Sequence, residues 1–280
     1  MNHLTVHSLH IYPIKSCGGI SVQNTAIDKY GFENDRRWLL VDENGQFITQ
    51  RDCSELSLVQ PEIDGEILKV TFKKSTIEIP IQAKTEHQFY TSVWDSEQLS
   101  VYDEGNAAAD FFSEAIKGKC RLVRRSESYE RVVTSGKIIG EHNISFVDSH
   151  PILIVTQNSL KELNNRLDET LLPDRFRPNI IVEGDCEGFD EDNWRIIGIN
   201  NQLFDFGKRC SRCVVTTINQ QTAEKGTEPL QELASFRRDH RGKVCFGAYY
   251  TNRQATGNLS VGNPVVIHNS ESNPLDASIN

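Results

Sequence analysis

The chain has 280 residues, 38% hydrophobic and 25% charged, which is the range of an ordinary globular protein and excludes a disordered or fibrous one. A formal net charge of -9 removes any general attraction to nucleic acid or anionic lipid. Its apolar runs, such as residues 151–155, fall far short of the roughly 20 residues that cross a bilayer, and the first residues lack the pattern of a signal peptide, so the reading expects a cytoplasmic protein without membrane or nucleic-acid partners.

In chain order, the first hundred residues read as short antiparallel strands. Leu4, Val6, Leu9 and Ile11 form a broken alternation. Trp38-Leu39-Leu40-Val41 leads through Asp42-Glu43-Asn44-Gly45 into Gln46-Phe47-Ile48-Thr49, a hairpin around an Asn-Gly turn. Leu68, Val70 and Phe72 alternate, as do Ile77, Ile79 and Ile81. Ala107, Phe111 and Ala115 with their neighbours make the apolar stripe of a helix, with Gly118 as its stop, and a strand follows at 120–123. Residues 126–143 are polar and read as a linker between two lobes. Beyond it, 151–155 and 179–182 read as buried strands, with Leu160, Leu163 and Leu167 on a helix between them. Strands are expected at 195–199, 203–206, 214–218, 246–250 and 265–268, a short helix at 229–237, and a mobile tail from 269. This mixture predicts an α+β, mainly β architecture and not a doubly wound parallel sheet, with domains at 1–125 and 126–268.

The polar clusters all stand at strand edges, where a rigid scaffold aims loop groups into one pocket. Lys208-Arg209-Cys210-Ser211-Arg212-Cys213 sets three cations beside two thiols, which favours thiolate. Half of a zinc site, a thioredoxin-like disulfide and inert buried cysteines are the other readings of this Cys-X-X-Cys. No second pair completes the zinc site, and the motif leads into a β-branched run where a redox motif needs a helix. The seven cysteines, odd in number and widely spaced, otherwise read as reduced thiols. Tyr12-Pro13-Ile14-Lys15-Ser16-Cys17-Gly18-Gly19 offers a lysine, a hydroxyl and flexible backbone to a phosphate, or is an ordinary turn; it is not a P-loop. In Asp35-Arg36-Arg37-Trp38, strand alternation would aim one arginine at a cleft and leave the other solvated. In Arg175-Phe176-Arg177-Pro178-Asn179 the proline would hold Arg177 extended, and Asn179 either caps the strand or meets a ligand. Asp148-Ser149-His150 gathers polar groups before another strand, as functional or as turn residues.

Together these motifs carry a resemblance. Residues 4–61, with Tyr-Pro-Ile-Lys-Ser-Cys and Asp-Arg-Arg-Trp-Leu-Leu-Val, resemble the N-terminal β-barrel domain of MOSC proteins. Residues 149–267, with Arg-Phe-Arg-Pro-Asn-Ile, Cys-Ser-Arg-Cys-Val-Val-Thr-Thr and Phe-Gly-Ala-Tyr, resemble the MOSC β-barrel domain itself. Within that family the similarity is to the mitochondrial amidoxime-reducing components and their bacterial counterparts. It implies a molybdenum cofactor (Mo-molybdopterin), with Cys213 as the protein ligand to molybdenum and Asp148 beside it in a catalytic role. It implies further that Lys15, Ser16, Arg36, Arg177 and Asn179 hold the phosphate and pterin, with Ser149, Arg212 and Tyr249 in the same pocket.

What the resemblance implies in function is a reductase of small N-hydroxylated compounds, fed by a separate flavin or iron-sulfur reductase, because neither a membrane anchor nor a ferredoxin-like cysteine set accompanies the two domains. A sulfur carrier or cofactor-handling protein working through a cysteine persulfide is the alternative. One departure concerns Thr217-Ile218-Asn219-Gln220-Gln221, where the family often has Asp-Pro, so the shape of that loop is open.

Overall fold

The computed structural model describes residues 3–82, 88–134, 136 and 141–268; the expectation for the tail from 269 lies outside them. The N-terminal part runs β1 (Leu4–Ile11), β2 (Ile20–Val22), β3 (Asn24–Asp28), β4 (Gly31–Phe32), β5 (Trp38–Val41), β6 (Gln60–Asp64), β7 (Ile67–Phe72) and β8 (Ser75–Pro80). It continues with β9 (Gln88–Val93), β10 (Ser96–Asp103), α1 (Asn106–Ile116) and β11 (Arg121–Arg125). The C-terminal part runs β12 (Ile152–Thr156), α2 (Gln157–Asn164), β13 (Ile180–Gly184), β14 (Ile196–Ile199) and β15 (Gln202–Ser211). Last come α3 (Leu230–Phe236), β16 (Cys245–Asn252), β17 (Gly257–Ser260) and β18 (Pro264–His268). The mainly β expectation holds.

Seven strands in the order β13-β12-β16-β15-β14-β18-β1 close into a barrel, because β1 pairs with β13 as well as with β18. The first strand of the chain is thus a stave of a barrel otherwise built from residues 152–268. Its broken alternation has a physical cause: the register against β13 shifts between Val6 and Ser8, a bulge that restores inward packing to Leu9 and Ile11. Leu4, Val6, Leu9, Ile152, Ile154, Ile180, Val182, Phe204 and Tyr250 belong to one buried cluster of this barrel. α2 and α3 cover the outside, over Val155, Ile181 and Phe246. Thr156 caps α2, its hydroxyl accepting from the Ser159 amide at 3.0 Å.

The N-terminal lobe combines a four-stranded sheet, β5-β11-β10-β9, with a three-stranded one, β6-β7-β8. All four residues of β5 are buried: Trp38 and Leu40 pack toward α1 and β7, Leu39 and Val41 toward β10 and Tyr129. The Asn44-Gly45 turn forms, with Gly45 at φ +74 and the Asp42 carboxylate accepting from the Asn44 and Gln46 amides. Its second arm is only a bridge between Val41 and Phe47. At the end of α1 the left-handed residue is Lys117, one place before the expected glycine.

Two expectations are overturned. Residues Val214–Thr217, read as a strand, form a 3-10 turn. The Thr216 and Thr217 hydroxyls donate to the carbonyls of Cys213 and Val214, at 3.0 and 2.8 Å, and this local bonding competes with any ladder. Arg36 and Arg37 are not parted by strand alternation: Arg36 lies before β5 at φ +45, and Arg37 is not free in solvent but donates to the Ile81 carbonyl at 3.0 Å.

Candidate functional site

The loops before β12 and β13 and the loop after β15 meet segments 12–16, 35–36 and 46–51 of the N-terminal lobe, and a cleft forms there. Lys15, Ser16, Arg36, Asp148, Arg177, Asn179, Arg212, Cys213 and Tyr249 all line it. Ser149 does not; its hydroxyl is paired with His150 Nδ1 at 2.8 Å. His150 lines the cleft in its place, stacked on Tyr249 at 5.5 Å between ring centroids. Burial, helped by Lys208, pushes His150 down to about 3, so its ring is neutral at physiological pH.

Three cleft residues sit in the left-handed region without being glycine: Ser16 at φ +71, Arg36 at +45 and Arg177 at +55. The proline after Arg177 was expected to keep it extended, and the structure corrects this. Such backbone costs about 1–3 kcal/mol per residue and persists where its surroundings over-determine it. Here the surroundings are hydrogen bonds. Arg36 Nη1 donates to both oxygens of the buried Asp35, whose Oδ1 also accepts the Tyr12 amide. Arg36 Nη2 donates to the Arg177 carbonyl at 3.1 Å, and Arg177 Nη1 to the Cys17 carbonyl at 2.6 Å. Both guanidiniums lie over the Tyr12 ring, at 4.2 and 4.3 Å.

Asp148 is aimed by two buried cations. Arg131 Nη1 donates to the carbonyls of Ser145 and Val147, and Lys15 Nζ donates to the carbonyl of Phe146 between them. Lys15 Nζ then reaches Asp148 Oδ1 directly. Burial lowers the Lys15 pKa against the raising effect of Asp148. Packing around Asp148 disfavours its charge, but the Lys15 ammonium, its hydrogen bond and Arg51 win and hold the carboxyl well below the usual range. Its side chain remains 45% exposed.

Cys213 stands at the start of the 3-10 turn and is partly exposed. The cation beside it is not one of those neighbouring it in sequence. Arg212 donates to the carbonyls of Phe246 and Phe176, and Arg209 reaches toward Asp192 at 3.8 Å. Arg51, from the N-terminal lobe, donates through Nη2 to Cys213 Sγ at 3.2 Å. Cys210 is buried beside the Tyr249 hydroxyl, and burial pushes its thiol up; the expected thiolate bias fails there because desolvation outweighs Arg212.

Backbone irregularities position these groups. The β15–β16 register shifts at Gly207 and again at Cys210. At Gly207 the His150 ring occupies the place of a side chain: a Cβ would lie 2.1 Å from Nε2. Asn179 serves the scaffold with both ends of its amide, accepting from Leu153 N and donating to the His10 carbonyl. The open loop after Thr217 is held by Gln220, which forms a reciprocal amide pair with Gln50 at 2.9 and 3.0 Å across the two lobes.

Arg51, Trp94 and Arg131 escape sequence reasoning because no local pattern joins them to the site, whereas His150 belongs to the Asp148-Ser149-His150 cluster that the sequence singles out. Arg51 follows the Asn-Gly hairpin by a few residues, and Trp94 occupies a turn. Only the packing of the lobes reveals them.

The fit to an anionic cofactor rests on two nitrogens. Arg177 Nη2 and Arg212 Nη2 are buried without a hydrogen-bond partner. Orphaned charged donors are costly unless a ligand satisfies them. Among the described residues no cluster of three or more His, Cys, Asp or Glu could hold a metal by itself. A phosphorylated pterin carrying the metal, completed by one thiol, fits this donor set.

Residues 3–119 match the MOSC N-terminal beta barrel domain, and residues 141–266 match the MOSC domain. The chain is 30% identical over 280 residues to "Mitochondrial amidoxime reducing component 2" of Rattus norvegicus, covering 93% of this chain and 82% of that protein. To "Mitochondrial amidoxime-reducing component 1" of Homo sapiens it is 29% identical, over 94% of this chain and 82% of the relative. To "Molybdenum cofactor sulfurase" of Arabidopsis thaliana it is 31% identical over 86% of this chain but only 32% of the relative, so the chain spans about a third of that protein's length. Among the described residues no helix is long and apolar enough to cross a membrane.

Proposed function

We propose, for a chain that belongs to the MOSC family through both of its domains, that the cleft binds a molybdenum cofactor and that the protein reduces N-hydroxylated compounds. The observation that carries this reading is the pairing, in one cleft, of unsatisfied buried guanidinium donors with a partly exposed thiol. When bound, the cofactor supplies the two-electron chemistry that removes the oxygen of an N–OH group. Each turnover takes two electrons and two protons from a separate reductase and solvent, and releases the amine or amidine with one water.

The chain's own residues bind and orient. Arg177 and Arg212 offer their free Nη2 groups to the phosphate and the pterin edge, while Arg36 and Lys15, paired with Asp35 and Asp148, line the same cleft. Charge-assisted hydrogen bonds contribute about 1.5–3 kcal/mol each, enough in combination to retain an anionic cofactor in an acidic protein. Cys213 presents its sulfur as the one protein ligand, a soft donor suited to a redox-active metal. Asp148, at the mouth, is an acceptor for an N–H of the substrate.

The reading is tested with protein from a host that makes the cofactor, reduced chemically and offered benzamidoxime. Benzamidine is the expected product, and protein that carries molybdenum yet yields none would refute the reductase. The sulfurase relatives favour a second reading, a sulfur carrier acting through the partly exposed Cys213. It requires a mass increase of one sulfur on the intact protein, removed by dithiothreitol and absent from Cys213→Ser.

A further inference from the structure

Trp94 is covered only in part by the packing of the N-terminal lobe. It lies in the two-residue turn between β9 and β10, at φ +54, and keeps 44% of its surface exposed. A large aromatic residue in left-handed backbone is strained and gains little from burial here, a combination expected of functional positions. Its indole is nevertheless held. Nε1 donates to Asp148 Oδ1 at 3.3 Å, the ring stands edge-on to Phe47 at 4.9 Å between centroids, and the Arg51 guanidinium lies against it at 5.0 Å. Arg51 in turn touches Cys213 Sγ at 3.2 Å. An oriented, open aromatic surface therefore stands one side chain away from the thiol.

Asp148 completes the arrangement. Its Oδ1 takes the bonds from Lys15 and Trp94, and among the described residues Oδ2 has Arg51 only at 3.9 Å, beyond hydrogen-bond length. An acceptor oxygen thus lies beside the aromatic plane, at the edge of the cleft that holds Cys213.

We infer that Trp94 is a specificity-determining residue: its indole stacks on the planar group of the substrate while Asp148 Oδ2 accepts from a substrate N–H. This deepens the proposed function and rests on it for the site concerned. The favoured class is a flat, conjugated base that bears an N–H beside its N–OH, such as an aryl amidoxime. A saturated ring of equal size carrying the same head group presents no π face and binds less well. Aromatic pairing adds a preference of roughly three- to tenfold in Kd, about 0.7–1.4 kcal/mol, beyond the area it buries.

The test is calorimetric titration of the cofactor-loaded protein, without reductant, with benzamidoxime and with cyclohexanecarboxamidoxime. The wild type is expected to prefer benzamidoxime by roughly three- to tenfold. Trp94→Ala abolishes the preference, and Trp94→Phe, which keeps a π face but loses the Nε1–H bond to Asp148, retains most of it. Equal weakening of both ligands in Trp94→Ala would mean that Trp94 only positions Asp148, and would overturn the inference, as would a wild type without preference or without binding. Turnover of bound benzamidoxime is read separately: binding with the expected preference but no reduction sinks the reductase and leaves the stacking role standing.

Discussion

Arg51 joins the two lobes at the scale of a single side chain, with Cys213 Sγ at one end and the Trp94 ring against its guanidinium. Its side chain is 30% exposed and among the described residues donates no hydrogen bond into a core, so Arg51→Ala should leave the melting temperature within a degree or two while lowering kcat/KM for benzamidoxime by at least about tenfold, the scale of one charged hydrogen bond. An unchanged kcat/KM would show that the contact has no functional weight. A second residue-scale effect is pH-dependent stability. Burial pushes Glu191 up to about 7 from 4.5, against the hydroxyls of Ser159 and Thr156 that bond it. The folded state therefore binds the extra proton, and this contribution is present below pH 4.5 and lost as pH rises through 7. His150 has the opposite sign: lowered to about 3 from 6.5, it costs stability as pH falls through that window. Glu191→Gln should thus raise stability at pH 8, by on the order of 2 kcal/mol, and lose that advantage near pH 5. Thermal melts from pH 5 to 8 that run parallel for the two proteins would contradict it. The residues legible in the sequence were those in compact motifs, Lys15, Arg36, Arg177 and Cys213. Arg51, which lines the cleft, and Trp94, which meets it only through Asp148 and Arg51, were not, since tertiary packing alone brings them there.

At the scale of elements, irregularity builds the cleft. The β15–β16 pairing is interrupted at Gly207 and Cys210, and the residues from Cys210 to Cys213 line the cleft. Gly207→Ala should displace the His150 ring, because the added Cβ meets Nε2 at 2.1 Å, and lower stability by about 1–3 kcal/mol in a denaturant titration; no loss would show that the ring moves freely. The 3-10 turn after Cys213 shows why strand propensity misled there: a β-branched run favours a ladder only when no nearer bond is offered, and the Thr216 and Thr217 hydroxyls find carbonyls three residues back. The loop beyond it depends on the Gln50–Gln220 pair. Removing Gln220 leaves the buried Gln50 Oε1 without its partner, although Gln50 Nε2 still donates to the Ser16 carbonyl, so Gln220→Leu should cost about 1–3 kcal/mol, whereas Gln50→Leu with Gln220→Leu should recover part of that loss. A double-mutant cycle with no coupling would refute the bridge.

Over the whole molecule, the strands themselves were readable because short alternating or apolar runs leave few other options, but barrel closure was not. The pairing of β1 with β13 joins residues 4–9 to 180–184, and nothing local in either segment announces the other. The same closure brings the Tyr12–Ser16 segment, which follows β1, against the loops of the C-terminal part. Net charge was equally uninformative about the site: the chain carries -9 overall, yet Lys15, Arg36, Arg51, Arg177 and Arg212 share one cleft. The central claim is that this cleft retains a molybdenum cofactor through its guanidinium donors and completes the metal with one sulfur. Elemental analysis of wild-type protein and of Cys213→Ser, Arg177→Ala and Arg212→Ala variants, all folded and made in one cofactor-producing host, tests it most directly. The account predicts about one molybdenum per wild-type chain and a large loss in each arginine variant, with Cys213→Ser inactive on benzamidoxime. A metal-free wild type, or a Cys213→Ser protein with full metal and full activity, would contradict it.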